Sequence, residues 1–283
     1  QTVSVTTTDD DVAGFTIVES DGSTSVDESG TTDTFTVVLD AEPASDVVIS
    51  ISSDDTGEAT VTSTLTFTSA NWDTPQTATV TGADDFILDG NQSSTVTITV
   101  VDSISDNDFS GVADQTVSAT TTDDDVAGFT IVQSEATTEV AESGTTDTFT
   151  VVLDAEPTSD VVLTVTSSDP GEATVTSTLT FTSANWDTPQ TITVTGVDDD
   201  LIDGDIVSTV TVVVDDANSN DDFDAVADQT VSVTTTDDDV AGFTIVESDG
   251  STEVAESGTT DTFTIVLDAQ PTSDVVLTVT SSD

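Results

Sequence analysis

Every side chain in this sequence that could bind an ion or move a proton is a carboxylate or a hydroxyl. The 283 residues include 57 Asp and Glu and no Lys, Arg, His or Cys. The acids gather in short groups: Asp27-Glu28, Asp54-Asp55, Asp84-Asp85 with Asp89, and Asp123-Asp124-Asp125, with matching groups downstream. Nucleophilic catalysis of the Ser/His/Asp, Cys/His or Ser/Lys kind has no base to work with. Paired carboxylates can hydrolyse glycosides, but acids that recur identically along a chain behave as ligands of structural metals, so no catalytic residue is assigned and no enzyme is expected. What remains is cation binding. Two close carboxylates repel by about 1 kcal/mol in water and by more in a protein, and no basic side chain is present to relieve them. Zinc, copper and iron favour nitrogen or sulfur ligands. Magnesium holds its waters, whereas calcium takes about 6–8 oxygens in irregular geometry. Ca2+ is therefore the expected cofactor. For any single acidic run the competing explanation is a solvated charge run that keeps the protein soluble.

The charge balance also sets the class of partner. A formal charge of −57 offers nothing to meet phosphate, which excludes nucleic acid and anionic membrane surfaces. Charge of this size opposes compaction, so bound metal or high ambient salt must offset it. Disorder is the alternative suggested by high charge and few aromatics, but 34% of residues are hydrophobic and they fall in ordered patterns. Without cysteine there are no disulfide staples. No apolar run approaches the roughly 20 residues needed to span a bilayer, and no signal peptide is visible at Gln1; in a secreted protein it would lie outside this sequence or have been removed.

The elements that position the acids follow from a repeat. DDDVAGFTIVES at Asp9 returns as DDDVAGFTIVQS at Asp123 and DDDVAGFTIVES at Asp237, a period of 114 residues. Glu28, Glu142 and Glu256 obey it, as do Trp72 and Trp186, and Asp89 and Asp203. The expected organisation is the last strand of a preceding repeat over 1–11, full repeats over 12–125 and 126–239, and the N-terminal part of a following repeat over 240–283. A sequence that starts and stops within a repeat suggests a segment of a longer array, or ends that complete neighbouring subunits.

Alternation of apolar residues with Thr or Ser, bounded by Asp, Gly, Pro and Asn, marks strands. In the first full repeat they are Gly14–Val18, Asp33–Leu39, Asp46–Ser52, Ala59–Thr68, Gln76–Thr81, Ser94–Val100 and Gln115–Thr121. In TVTITV, Val96, Ile98 and Val100 share one face and the threonines the other. One apolar face per strand implies two sheets packed face to face. The fold class expected is all-β: tandem immunoglobulin-like, seven-stranded β-sandwiches. If successive strands alternate in direction, the loops after the first, third, fifth and seventh share one end. Those are the four acidic loops, so the acids converge where the next repeat begins.

The pattern resembles the Calx-beta domain, a repeat known from sodium–calcium exchangers and large bacterial surface proteins. The resemblance rests on QTVSATTTDDDVAGF at Gln115–Phe129, VDDDLIDGD at Val197–Asp205, the Glu of Glu142-Ser143-Gly144, the Ser168-Asp169 turn, and NW-x-TPQT-x-TVTG at Asn71–Gly82 and Asn185–Gly196. It covers essentially the whole chain. It implies an immunoglobulin-like sandwich whose distal loops bind a calcium cluster at the junction with the next domain. Carried over residue by residue, the implied ligands in the first full repeat are Glu28, Asp55, Asp84, Asp85, Asp89, Asp123, Asp124 and Asp125. In the second they are Glu142, Asp169, Asp198, Asp199, Asp203, Asp237, Asp238 and Asp239. Asp9–Asp11 would close a preceding site, and Glu256 and Asp283 would begin a following one. Two departures stand out. Asp203 occupies a position where Glu is usual, and Phe86 stands where the second repeat has Asp200. Calcium number and affinity are therefore expected to differ between repeats.

Trp72 and Trp186 are assigned to packing ahead of sugar stacking, and Phe15, Phe35 and Phe67 to the core. Gly14 begins a strand directly after the acidic linker, where it would let two domains approach. Asn91-Gln92-Ser93 is a glycosylation sequon, and glycans are a potential partner, although the counterpart of Asn91 is Asp205. The functional expectation is a calcium-stabilised extracellular structural repeat forming a fibre, matrix filament or rigid stalk. Its partners would be neighbouring repeats or identical subunits. The alternative is the adhesive, ligand-binding repeat region of a giant cell-surface adhesin.

Overall fold

A computed structural model describes residues 1–8 and 10–282. The chain divides into two compact units, Gln1–Val126 and Ala127–Asp283, and the described part of each is all-β apart from short 3-10 turns.

In the first unit the strands are β1 (Phe15–Glu19), β2 (Thr24–Asp27), β3 (Thr32–Leu39), β4 (Val47–Ser53), β5 (Ala59–Val61), β6 (Thr64–Phe67), β7 (Gln76–Gly82), the short β8 (Ile87–Leu88), β9 (Gln92–Val100) and β10 (Gln115–Thr122). They build a four-stranded sheet in the order β1-β3-β7-β5 and a five-stranded sheet in the order β2-β10-β9-β4-β6. The two sheets face each other across one core, in which Phe35, Phe67, Phe109, Ile49 and Ile98 are fully buried. Phe15 is buried with them, and Trp72 packs against the cluster. Each buried Phe contributes about 2–3 kcal/mol of transfer free energy. Threonines fill the outward positions, as β-branching suits an extended backbone.

All seven expected strands are present, with two refinements. The run Ala59–Thr68 is divided between the sheets. Thr62 N–H still bonds Thr79 of β7, while the Ser63 carbonyl already accepts from Ile51 of β4. The second refinement is β2, an extra strand that runs parallel to β10 in the register Thr24↔Ala119 to Asp27↔Thr122. The close neighbour of Gly14 within the unit is Asp40: a Cβ there would press on that carboxylate. Its small size therefore serves its own repeat.

The second unit repeats the plan with β11 (Phe129–Gln133), β12 (Thr138–Ala141), β13 (Thr146–Leu153), β14 (Glu156–Pro157), β15 (Val161–Ser167), β16 (Ala173–Val175), β17 (Thr178–Phe181), β18 (Gln190–Gly196), β19 (Ile206–Val214) and β20 (Gln229–Thr236). Its sheets are ordered β11-β13-β18-β16 and β12-β20-β19-β15-β17. Among the described residues, two further strands, β21 (Phe243–Glu247) and β22 (Phe263–Leu267), form a two-stranded antiparallel sheet.

Residues 1–8 read QTVSVTTT, identical to β20, yet they are exposed and carry no strand. β20 has β12 and β19 on its two sides, whereas among the described residues no strand pairs with residues 1–8.

Candidate metal centre

Four loops meet at one pole of the first sandwich: the β2–β3 turn with Glu28, the β4–β5 turn with Asp55, the Ala83–Asp89 loop after β7, and Asp123–Asp125 after β10. Backbone bonds tie them together. Glu28 N–H donates to the Thr122 carbonyl at 3.1 Å and Ala83 N–H to the Glu58 carbonyl at 2.8 Å. The end of β7 lies so close to β2 that a Cβ on Gly82 would overlap the Asp27 carbonyl. Gly196 stands in the same relation to Ala141, which explains the glycine closing both TVTG segments.

The acids at this pole commonly use one carboxylate oxygen to shape their own loop. Asp55 Oδ1 accepts from Gly57 N–H at 3.0 Å, and Asp85 Oδ1 from Ile87 N–H at 2.7 Å. Asp123 accepts from Gly90 N–H at 2.7 Å through Oδ2 and from Asp125 N–H at 2.8 Å through Oδ1. Asp169, Asp199 and Asp237 repeat these bonds in the second unit.

Other oxygens at the pole are buried without a hydrogen-bond partner: Oε2 of Glu28, Glu58, Glu142 and Glu172, and Oδ2 of Asp125 and Asp239. An unsatisfied buried charge is costly. Burial first, then the charges of Asp123, Asp85 and Glu58, push the Glu28 carboxyl up to about 7. Burial, then Asp237, do the same to Glu142, also to about 7. Burial followed by neighbouring carboxylates raises Glu58, Asp125, Glu172 and Asp239 as well.

All sixteen sequence-predicted positions lie at these two poles. Carboxylate oxygens of Glu28, Asp85 and Asp125 approach within 4.8 Å of one another, and so do those of Glu28, Glu58 and Asp89. Asp55 acts on Glu58, and Asp84 and Asp124 act on Asp125. In the second unit Glu142, Asp237 and Asp239 form one such group. Asp169, Asp199 and Asp203 act on Glu172, while Asp198 and Asp238 act on Asp239. Asp200, the residue that replaces Phe86, is the foremost charge acting on Asp239. Of the outlying candidates, Glu256 is exposed, Asp10 and Asp11 lie in a strandless exposed segment, and Asp9 and Asp283 lie outside the described residues.

Neighbouring acids have a different task. Asp54 Oδ1 accepts from Thr95 N–H at 2.6 Å, and Ser168 replaces it in the second unit with a bond to Thr209 N–H. Asp27 caps Ser29 and Thr122, and its counterpart is Ala141. Hydrogen bonds from these partners hold Asp27 and Asp54 below the usual carboxylate range.

The position that sequence reasoning missed is Glu58, with its counterpart Glu172. Each follows a Gly in a turn, immediately precedes a strand, is 9% or 8% exposed, and recurs at the 114-residue period. A glutamate repeated in the turn directly before a strand was the available signal.

These residues fit a hard divalent cation. The donors are all oxygen, several lone pairs are buried and unpaired, and no basic group exists to compensate them.

No protein-family model and no curated protein matches the chain. Among solved structures it is similar to the calcium-binding domain CBD12 of CALX1.1, at 13% identity over 70% of this chain and 79% of that one, with a TM-score of 0.30. It is also similar to domains 5-6 of the S-layer protein SbsC, at 21% identity over 81% of this chain and 100% of that one, TM-score 0.27. Domains 4 and 5 of SbsC match at 18% identity over 66% and 76%, TM-score 0.32.

Proposed function

We propose that the chain is a calcium-stabilised extracellular structural repeat, with repeats over 12–125 and 126–239, and that the acidic pole of each sandwich sets the stiffness of the joint to the next. One observation carries this reading: acidic groups whose carboxylate oxygens lie within 4.8 Å of one another include residues with a buried, unpartnered oxygen, in a sequence without Lys, Arg or His. Glu28, Asp55, Asp84, Asp85, Asp89 and Asp123–Asp125 would hold calcium in the first repeat. Glu142, Asp169, Asp198, Asp199, Asp203 and Asp237–Asp239 would hold it in the second. The ion would supply positive charge where carboxylates otherwise repel.

The chain's own residues do the rest. Asp123 and Asp237 each bond an amide of the adjoining loop, at Gly90 and Gly204, so each linker is fastened to the pole it leaves. Within the second unit the loop carrying Asp198, Asp199 and Asp203 also reaches forward. Leu201 bridges Gln270 in parallel, Ile202 N–H donates to the Gln270 carbonyl at 3.3 Å, and Gln270 N–H donates to Asp200. A loop that both gathers ligands and grips the following segment couples ion binding to joint rigidity.

The test is a titration on the intact chain. Thermal stability and scattering-derived length are measured with calcium and then with excess chelator. Saturation at about 100 times Kd should add roughly 2.7 kcal/mol for each independent site, and chelation should shorten the particle. Equal melting and equal length in both conditions would overturn the reading.

A further inference from the structure

We propose that the first repeat holds a cation position formed by Glu28, Glu58 and Asp89, separate from the linker and serving the sandwich itself. This rests on the calcium reading above and refines it. Carboxylate oxygens of the three residues come within 4.8 Å of one another. Two of the residues are almost fully enclosed: Glu28 is 1% exposed and Glu58 9%. The Oε2 atom of each is buried and has no hydrogen-bond partner. Asp89 is exposed and closes the group from the solvent side.

Glu58 is held there by its backbone. Its carbonyl accepts from Ala83 N–H at 2.8 Å and from Thr121 Oγ1 at 3.3 Å, which fixes it between the end of β7 and β10. Ala59 N–H donates to the Asp55 carbonyl at 3.2 Å and closes the turn behind it. A flexible surface glutamate would not need three elements to place it. The second repeat has the same construction. Glu172 accepts from Val197 N–H at 2.8 Å and from Thr235 Oγ1 at 3.4 Å, and its Oε2 is buried and unpartnered.

The separation from the linker follows from membership. The neighbouring group, Glu28, Asp85 and Asp125, includes a linker residue; the group with Glu58 does not. Glu28 is common to both and would bridge two ions. An ion at the linker group would restrain the joint. An ion at the Glu58 group would tie the β2–β3 turn, the start of β5 and the loop after β7 within one sandwich.

The experiment counts calcium bound by the full chain by equilibrium dialysis, with tryptophan fluorescence reporting that each variant is folded. Glu58→Gln should lose one ion and part of the calcium-dependent rise in melting temperature of the first sandwich, with particle length unchanged. Asp125→Asn should lose a different ion and shorten the particle, and the double variant should lose both. If Glu58→Gln does not fold, Glu58→Asp decides: the shorter arm should weaken one ion on the order of 10-fold. A Glu58 variant with unchanged count and affinity overturns this inference and leaves the calcium lock standing. A wild-type chain that binds no calcium overturns both.

Discussion

Raising the pH of the metal-free chain should loosen it, whereas raising the pH of the calcium-loaded chain should tighten it. The carboxyls of Glu28 and Glu142 are pushed from an ordinary 4.5 up to about 7, chiefly by burial. Between those values the folded state keeps the proton and the unfolded state has released it. Folded protein therefore binds more protons, and stability falls as pH rises through the window. At about 1.4 kcal/mol per unit each group is bounded at roughly 3 kcal/mol, and water entry reduces that to about 1–2 kcal/mol. For a sandwich of this size about 1 kcal/mol moves the melting temperature by roughly 4 °C. Each sandwich should then melt about 4–8 °C lower near pH 8 than near pH 5 in chelator. Calcium reverses the sign, because ligands must be deprotonated to bind metal. Differential scanning calorimetry over this range, with chelator and with saturating calcium, reads both slopes. Glu28→Gln with Glu142→Gln should flatten the chelator slope and leave the metal-free protein more stable at high pH. A flat or rising profile in chelator would refute the burial argument at its root.

Other outcomes follow from particular contacts. Gly82→Ala places a methyl group on the Asp27 carbonyl and should destabilise the first sandwich by about 1–3 kcal/mol, seen as a lower denaturation midpoint in calcium. Phe35→Ala empties a fully buried site and should cost about 3–5 kcal/mol in the same assay. Asp54→Ser, which reproduces Ser168, should keep the bond to Thr95 and leave calcium stoichiometry unchanged. Ile202→Asp should leave the calcium count intact but speed hydrogen exchange at the Gln270 amide, which the loop at Asp200 protects.

The convergence of the acidic loops was legible because it needs only a strand count and alternating direction. Glu28, Asp85 and Asp125 are far apart in sequence, yet parity alone put their loops at one end. The sheet switch at Thr62-Ser63 was not legible, for a physical reason. Ala59, Val61, Leu65 and Phe67 keep the same parity across the polar Ser63, and the two sheets share one core, so the strand changes sheets while these four apolar residues stay on the inward side. β2 escaped because its only aliphatic residue is Val26; its place is fixed by Thr24, buried beside it, and by the parallel ladder to β10. Glu58 was hidden by its neighbours. Asp54-Asp55 drew attention to the start of the turn, while the residue enclosed at the pole was the glutamate that ends it, just before the following strand.

Residues 1–8 and 229–236 carry this further, because they hold sequence constant and vary only the surroundings. Intrinsic β-propensity is the same in both, so the strand at β20 must come from the ladders to β12 and β19 and from burying Val231 and Val233, 2% and 0% exposed. Propensity in this chain is permissive, and neighbours decide. The acids obey the same rule. Asp54 and Asp125 are chemically identical, but Asp54 Oδ1 answers the Thr95 amide, whereas Asp125 Oδ2 is buried without a hydrogen-bond partner. A carboxylate oxygen here serves its own loop where a backbone amide satisfies it. It is available to a metal where burial leaves an oxygen unanswered, and that difference, more than acid content, should decide which substitutions change calcium binding.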